Sequence, residues 1–336
     1  MAKLDELVPR PRRIPGKGVL MPKLTACSSL AFSLSSLEVA LKHISSYAFE
    51  CVEIAEMLTH SKHFPIDTVD PLEVRKLLDK YSLKPVAANV ALATLYTGQA
   101  GYRKLPVEKQ SAAETEEIRN AKQNRIFYRL YLESEAEDYS ARVRRLIDKA
   151  KIVGIPMLSI QAGRRGQIED IDRELAAAAK VIDVQAEYAR AAGIKILLEM
   201  PHVWDLYYDL EKSKQMLSYL QSDNIGVTID STHWHTSGYD IDHYVKFLQH
   251  RLCNVHLRDA AGKDSPAGNY ELEKTPGKGE VDFRLLGQTL DKYGYSGNVT
   301  LETEYKNYKD VAEVDSENAY ALAHLKSIGW QVPQRS

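Results

Sequence analysis

The chain has 336 residues, with Lys+Arg 44 against Asp+Glu 46 and a net charge of −2, so its overall charge draws it neither to nucleic acid nor to an acidic membrane. Hydrophobic residues make up 44%, enough for one large core, and no apolar run approaches the ~20 residues that cross a bilayer. The opening MAKLDELVPRPRRIPGKGVLMPK lacks the apolar stretch of a secretory signal, so a soluble cytoplasmic protein acting on a small molecule is expected.

Residues 1–22 are basic and proline-containing and read as an N-terminal arm. From there short runs rich in Val, Ile and Leu alternate with stretches of helical period, the pattern of successive βα units around a parallel sheet. Strands are expected at 24–30, 49–55, 83–90, 156–162, 194–200, 224–230, 252–257 and 297–302. Helices are expected at 36–47, 70–82, 137–154, 168–193, 209–221, 241–251 and 284–295, several ending near Gly154, Gly193 and Gly294. Eight strands without an early GxGxxG fit a closed (β/α)8 barrel better than an open doubly wound sheet. The barrel is expected to fill residues 23–327, leaving 328–336 as a tail. Residues 91–136 are too long for an ordinary connection and read as an insertion, either a lid or oligomer contact or a surface excursion. Cys27, Cys51 and Cys253 lie far apart in apolar contexts and read as buried thiols.

The last four strands each finish on a metal-capable side chain: Glu199 in LLEMPH, Asp230 in GVTID, His256 in NVHL and Glu302 in VTLE. In a parallel barrel all C-terminal strand ends open on one face, so these four residues are expected to converge there. Three carboxylates crowded at one mouth repel unless a cation sits among them. Three oxygen donors and one imidazole suit Mn²⁺ or Mg²⁺, with Co²⁺, Fe²⁺ or catalytic Zn²⁺ as further options. Any one strand-end acid is more often merely solvated; four in succession shift the balance toward a shared site.

These motifs, with DSTHWH, HLRDA, PGKGEVDF and LETEY, resemble the sugar-phosphate isomerase/epimerase family, the xylose isomerase-like barrels, over residues 22–325. That family also holds ketose 3-epimerases, inosose dehydratase and the endonuclease IV branch. The resemblance implies that Glu199, Asp230, His256 and Glu302 are metal ligands and that His233 touches substrate or a ligand. It also implies that Glu199 and Glu302 serve as acid and base on a carbon next to a carbonyl, giving isomerisation or epimerisation through an enediolate. His202, in EMPH, is a further catalytic candidate, with helix capping or a bond to a neighbouring carboxylate as the bland alternative. Asp205, His233, Arg258 and Trp204 are substrate-contact candidates. At Arg258 the pattern departs from the epimerases, which place an arginine where Gly262 and Lys263 stand here. Of the loop aromatics Trp204, Tyr207, Tyr208, Trp234 and Tyr305, any could stack on a sugar ring or simply pack.

The runner-up reading is a lyase or dehydratase on a keto-sugar or 3-oxo-glycoside, resembling inosose dehydratase or the large subunit of C-glycoside deglycosidases, with His202 as base. A homo-oligomer is expected on the first reading and a hetero-oligomer with a small subunit on the second. A nuclease is remote, because Asn89 and Gln161 stand where the endonuclease IV branch needs further histidines, and His60 and His63 are poorly placed to replace them. A sugar binder without catalysis is the remaining class. Arg164 and Arg165 could grip a phosphate, but no Gly-rich phosphate loop follows strands seven and eight, so an unphosphorylated sugar is expected.

Overall fold

In the computed structural model of the protein the described residues are 21–57, 61–95, 125–163, 170–264, 269–305 and 307–334. Eight strands form the barrel: β1 (Ala26–Ser28), β2 (Cys51–Met57), β3 (Lys84–Val90), β4 (Met157–Ile160), β5 (Lys195–Glu199), β6 (Ile225–Asp230), β7 (Leu252–Leu257) and β8 (Asn298–Leu301). Each lies within or beside its expected run. Neighbours in sequence pair in parallel, and β1 pairs with both β2 and β8, which closes the cylinder. The runs are largely apolar rather than alternating because helices cover their outer faces while the opposite faces fill the barrel.

The enclosing helices are α1 (Leu37–Ser46), α2 (Pro71–Lys80), α3 (Glu133–Val153), α4 (Ile171–Ala191), α5 (Leu210–Tyr219), α6 (Ser231–Ser237), α7 (Ile241–Leu248), α8 (Phe283–Lys292) and α9 (Val311–Ser327). Aspartate starts many of them: Asp70, Asp170, Asp209, Asp240, Asp282 and Asp310 each accept a backbone N–H of the first turn. Helix α3 begins at Glu133, four residues before the expected start, since its first turn is acidic and matches the positive helix end. Helices α6 and α9 lie outside the expected set. The first is a polar two-turn segment without an apolar stripe, and the second is the outer helix that follows β8.

Among the described residues three excursions leave the plan on the mouth side, the first of them Ser61–Lys62, which pairs antiparallel with the end of β2. After β3, Ala93–Leu95 pairs antiparallel with Arg125–Phe127, and the chain returns through buried Tyr128 and Leu130. The buried Glu174 of α4 accepts the Leu130 and Tyr131 N–H groups and ties that return down. Most of the expected insertion, 96–124, lies outside the described residues, as do His60, Arg164 and Arg165. After β7, Asp259–Gly262 and Tyr270–Lys274 form a hairpin. Asp259, 1% exposed, accepts backbone N–H groups from Ala260 (2.8 Å), Gly277 (2.8 Å), Gly279 (2.9 Å) and Val281 (3.0 Å), so one carboxylate shapes the PGKGEVD loop. A Cβ at Gly279 would come within 2.3 Å of that carboxylate, which is why the position is glycine.

The expected tail is partly core. Trp330 is buried, donates to the Phe283 carbonyl at 3.1 Å, and lies beside a Lys23–Gln331 bridge. The three cysteines are free, Cys27 buried and the other two partly so. Among the described residues no helix is long and apolar enough to cross a membrane.

Candidate active site

Every barrel strand presents its C-terminal end on one side, and the side chains of Glu199, Asp230, His256 and Glu302 meet there, 8%, 1%, 0% and 2% exposed. Glu302 is the residue after β8, its N–H bonded to the Leu257 carbonyl at 3.1 Å, which sets its carboxylate beside the end of β7. His256 is the hub: Nδ1 lies 3.0 Å from Glu302 Oε2 and 3.7 Å from Glu199 Oε2. Asn89, at the end of β3, donates to Glu302 Oε1 at 3.2 Å, a use for the residue that replaces a histidine.

Asp230 both ends β6 and caps α6, because the chain turns from strand to helix without a loop. Its Oδ1 takes the Thr232 N–H and hydroxyl, which leaves Oδ2 facing the Arg258 guanidinium at 2.9 Å. The same turn puts His233 one residue short of a full helical turn from the cap, fully buried, with Nε2 3.5 Å from Glu199 Oε1. That is what DSTHWH encodes: a cap, then an imidazole aimed into the mouth.

Glu53, in the middle of β2, does not figure among the expected site residues, yet it is fully buried inside the barrel with Oε1 3.0 Å from His256 Nε2. Its other oxygen accepts from Asn254 at 2.8 Å. The one trace in the sequence is an acid inside the apolar run CVEIA. His256 is thus held between two carboxylates. Burial alone would lower its pKa, but Glu302 and Glu53 outweigh it and lift the imidazole well above the ordinary histidine range. Burial pushes Glu199 well above the usual carboxylate range; His256 opposes this, and Asp230 and Glu302 add to it.

The remaining candidates sit around this centre. His202 stacks on His233 with ring centroids 4.0 Å apart, and its Nδ1 is 3.4 Å from Asp205 Oδ1. Burial first, then His233, hold His202 well below the ordinary histidine range; burial, Arg258 and His256 do the same to His233, so both rings are neutral. Arg258 is turned to the protein: besides Asp230 it reaches Glu304 at 2.7 Å and Thr232 Oγ1 at 3.3 Å. Lys263 is likewise turned away, donating to the His235 carbonyl at 2.6 Å. Trp204 stands at the rim, 41% exposed, its indole N–H donating to the Tyr270 hydroxyl of the hairpin at 2.9 Å. Of the other loop aromatics, Tyr207 and Trp234 are buried as packing. His63 is buried away from the hub, bonded to Ser29 Oγ at 2.9 Å and the Ser35 carbonyl at 3.1 Å.

The donor set fits a divalent metal. Among the described residues, Glu199, Asp230 and His256 bring one ligand atom each to within 4.8 Å of one another, and so do the overlapping sets Glu53, His256, Glu302 and Glu199, His202, His233. His256 Nδ1 and Asp230 Oδ2, although beside charged neighbours, are buried without a hydrogen bond of good geometry, as are both nitrogens of His233. Buried polar atoms left in that state are expected where a further ligand belongs. Oxygen and imidazole donors at a mouth open on one side match an ion that keeps a position for substrate.

Comparison with known proteins agrees with this architecture. An inosose isomerase of Halalkalibacterium halodurans is 22% identical over 271 residues, 80% of this chain and 83% of the relative. Among solved structures, that of the IOLI protein with a bound zinc atom superposes with a TM-score of 0.65 at 16% identity, covering 91% of this chain and 98% of that one. A D-psicose 3-epimerase from Clostridium cellulolyticum H10 gives 0.63 at 13% identity, covering 91% and 99%. At such identities the superpositions speak for the fold alone. The family model for the xylose isomerase-like TIM barrel matches residues 41–328, and the chain belongs to that family.

Proposed function

We propose that the protein is a divalent-metal-dependent sugar isomerase or epimerase, acting on an unphosphorylated ketose-like substrate. The observation that carries this reading is the convergence of Glu199, Asp230, His256 and Glu302 in one buried mouth with ligand positions unfilled by protein. The names of relatives and structural neighbours, inosose isomerase and ketose 3-epimerase, support it.

Glu199, Asp230, His256 and Glu302 would hold the ion, Mn²⁺ or Mg²⁺ by preference, and its chemistry when bound is Lewis-acid polarisation of adjacent substrate oxygens. The chain's own part is the proton. Glu302, held by Asn89, takes the proton from the carbon next to the substrate carbonyl. The electron pair left behind forms the C=C bond of an enediolate, and the carbonyl oxygen takes up the charge. Glu199, whose burial favours the protonated form, returns a proton from the other side, giving the epimer or the isomer. Neutral His202 and His233 can exchange hydrogen bonds with substrate hydroxyls, Asp205 lies beside His202, and Trp204 offers a ring face at the rim. Arg258 serves Asp230 rather than substrate.

A second reading is favoured by one observation: His202 Nδ1 is buried without a hydrogen bond of good geometry, and the ring is neutral, the state a base requires. On that reading the same proton loss is followed by departure of a group from the next carbon, as in a lyase acting on a keto-sugar or 3-oxo-glycoside. Incubation of the Mn²⁺-loaded protein in D₂O with ketoses and, separately, 3-oxo-glycosides separates the two. Deuterium retained at one carbon of an epimer or isomer supports the first reading, and release of the leaving group supports the second. Exchange into no substrate across a broad sugar panel would leave a binding protein. Full turnover by Glu302→Gln at normal metal content would refute the assignment of the base.

A further inference from the structure

We propose that Glu53 is a positioning residue that fixes the ring of His256 so that its Nδ1 edge, and not its Nε2 edge, faces the mouth. The inference rests on the metal reading of the site and adds a residue that none of the four strand-end motifs contains.

His256 has a nitrogen on each edge, and a ring free to flip could present either. Glu302 and Glu199 lie on the Nδ1 side at 3.0 and 3.7 Å. Across the barrel interior, Glu53 places both oxygens on the Nε2 side, Oε1 at 3.0 Å and Oε2 at 3.2 Å. A carboxylate only accepts, so the hydrogen on that edge points at Glu53, whose Oε2 makes the hydrogen bond while Oε1, although closer, is out of line for it. Asn254 Nδ2 also lies 3.0 Å from Nε2, but its short bond, 2.8 Å, goes to Glu53 Oε2. The Asn254 carboxamide is itself oriented by Val255 N–H at 3.1 Å and the Thr300 hydroxyl at 3.3 Å on its oxygen. A chain of fixed groups therefore runs from Thr300 through Asn254 and Glu53 to His256, all of them buried. Histidines that ligate metals commonly give their second N–H to a carboxylate, which sets the ring plane and raises ligand basicity. Strand β2 supplies that carboxylate here, although it is not adjacent to β7 in the barrel.

The test is Mn²⁺ affinity, measured by EPR titration on wild type, Glu53→Leu, Glu53→Gln and a control, Gly226→Ala, which crowds the barrel wall elsewhere. Glu53→Leu is expected to bind Mn²⁺ about 10–100-fold more weakly. Glu53→Gln keeps an acceptor oxygen and is expected to recover most of that loss, while Gly226→Ala binds as wild type. Two results overturn the proposal: a Glu53→Leu affinity within about twofold of wild type, or an equal loss in Gly226→Ala, which would mark a general effect of lowered stability. Wild type that binds no Mn²⁺ would instead overturn the metal reading itself, and the inference with it.

Discussion

Replacing Asp259 separates two kinds of hydrogen bond within one side chain. Its Oδ1 accepts from Ala260 at 2.8 Å and Val281 at 3.0 Å, both buried, and its Oδ2 accepts from Gly277 at 2.8 Å and Gly279 at 2.9 Å, both partly open to water. Bonds to a charged acceptor contribute ~1.5–3 kcal/mol each, and a buried donor left without a partner costs about 1–3 kcal/mol. In Asp259→Asn the single carboxamide oxygen will turn to the buried pair, and the two glycine N–H groups will go to solvent, so the loss should be about 2 kcal/mol. Asp259→Ala also strands the two buried donors, of Ala260 and Val281, and should lose about 4–5 kcal/mol. Urea denaturation gives both values, and hydrogen exchange should rise at Gly277 and Gly279 in Asp259→Asn but also at Val281 in Asp259→Ala. Equal losses in the two variants, or losses under about 1 kcal/mol in both, would refute the picture of one carboxylate organising the loop.

Burial lifts Glu56 to about 8, against weaker opposing effects of the Phe64 N–H, Lys62 and Arg142. The folded protein therefore keeps a proton that the unfolded chain releases near its ordinary value, so stability falls as pH rises from about 4.5 to 8, by up to about 1.4 kcal/mol per pH unit. Glu56→Gln should flatten that slope in urea melts between those limits, and an unchanged slope would sink the assignment. A Cβ at Gly226 would lie 2.6 Å from Cys253 Sγ and 2.9 Å from Leu197 Cδ2, so Gly226→Ala should cost about 1–3 kcal/mol, and Cys253→Ala in the same chain should restore much of it. If the double variant is no more stable than Gly226→Ala, the clash lies elsewhere. Asp230→Asn should lower Mn²⁺ content at equal protein concentration while leaving the helical circular dichroism in place, since the carboxamide oxygen can still cap α6; undiminished metal content would remove Asp230 from the ligand set.

The barrel was legible because its strands are continuous apolar runs and its helices carry period and caps, both local signals. The four strand-end residues were legible for a topological reason: a parallel barrel gathers every C-terminal strand end on one side, so four separate motifs name one place. Glu53 was not, because nothing local tells whether an acid inside a strand faces the barrel interior or the helix layer. Its neighbour Glu56, three residues on, is buried yet bonds to the Phe64 N–H, away from the hub. The pairing of Arg258 was also hidden, since its partner Glu304 comes from beyond β8 and only the folded chain sets the two at 2.7 Å. The helix STHWHTS escaped because it is two turns long and has no apolar stripe; its starting cap is the same aspartate that points into the mouth.

Arg258 lies against Asp230 and Glu304, and the imidazole of His256 lies between Glu53 and Glu302. Acidic groups gathered this closely push one another apart when a chelator strips them, unless cations belonging to the protein stay behind. Here the Arg258 guanidinium does, so on the metal reading proposed above chelator-treated protein should remain folded and take the ion up again on mixing, without passing through denaturation.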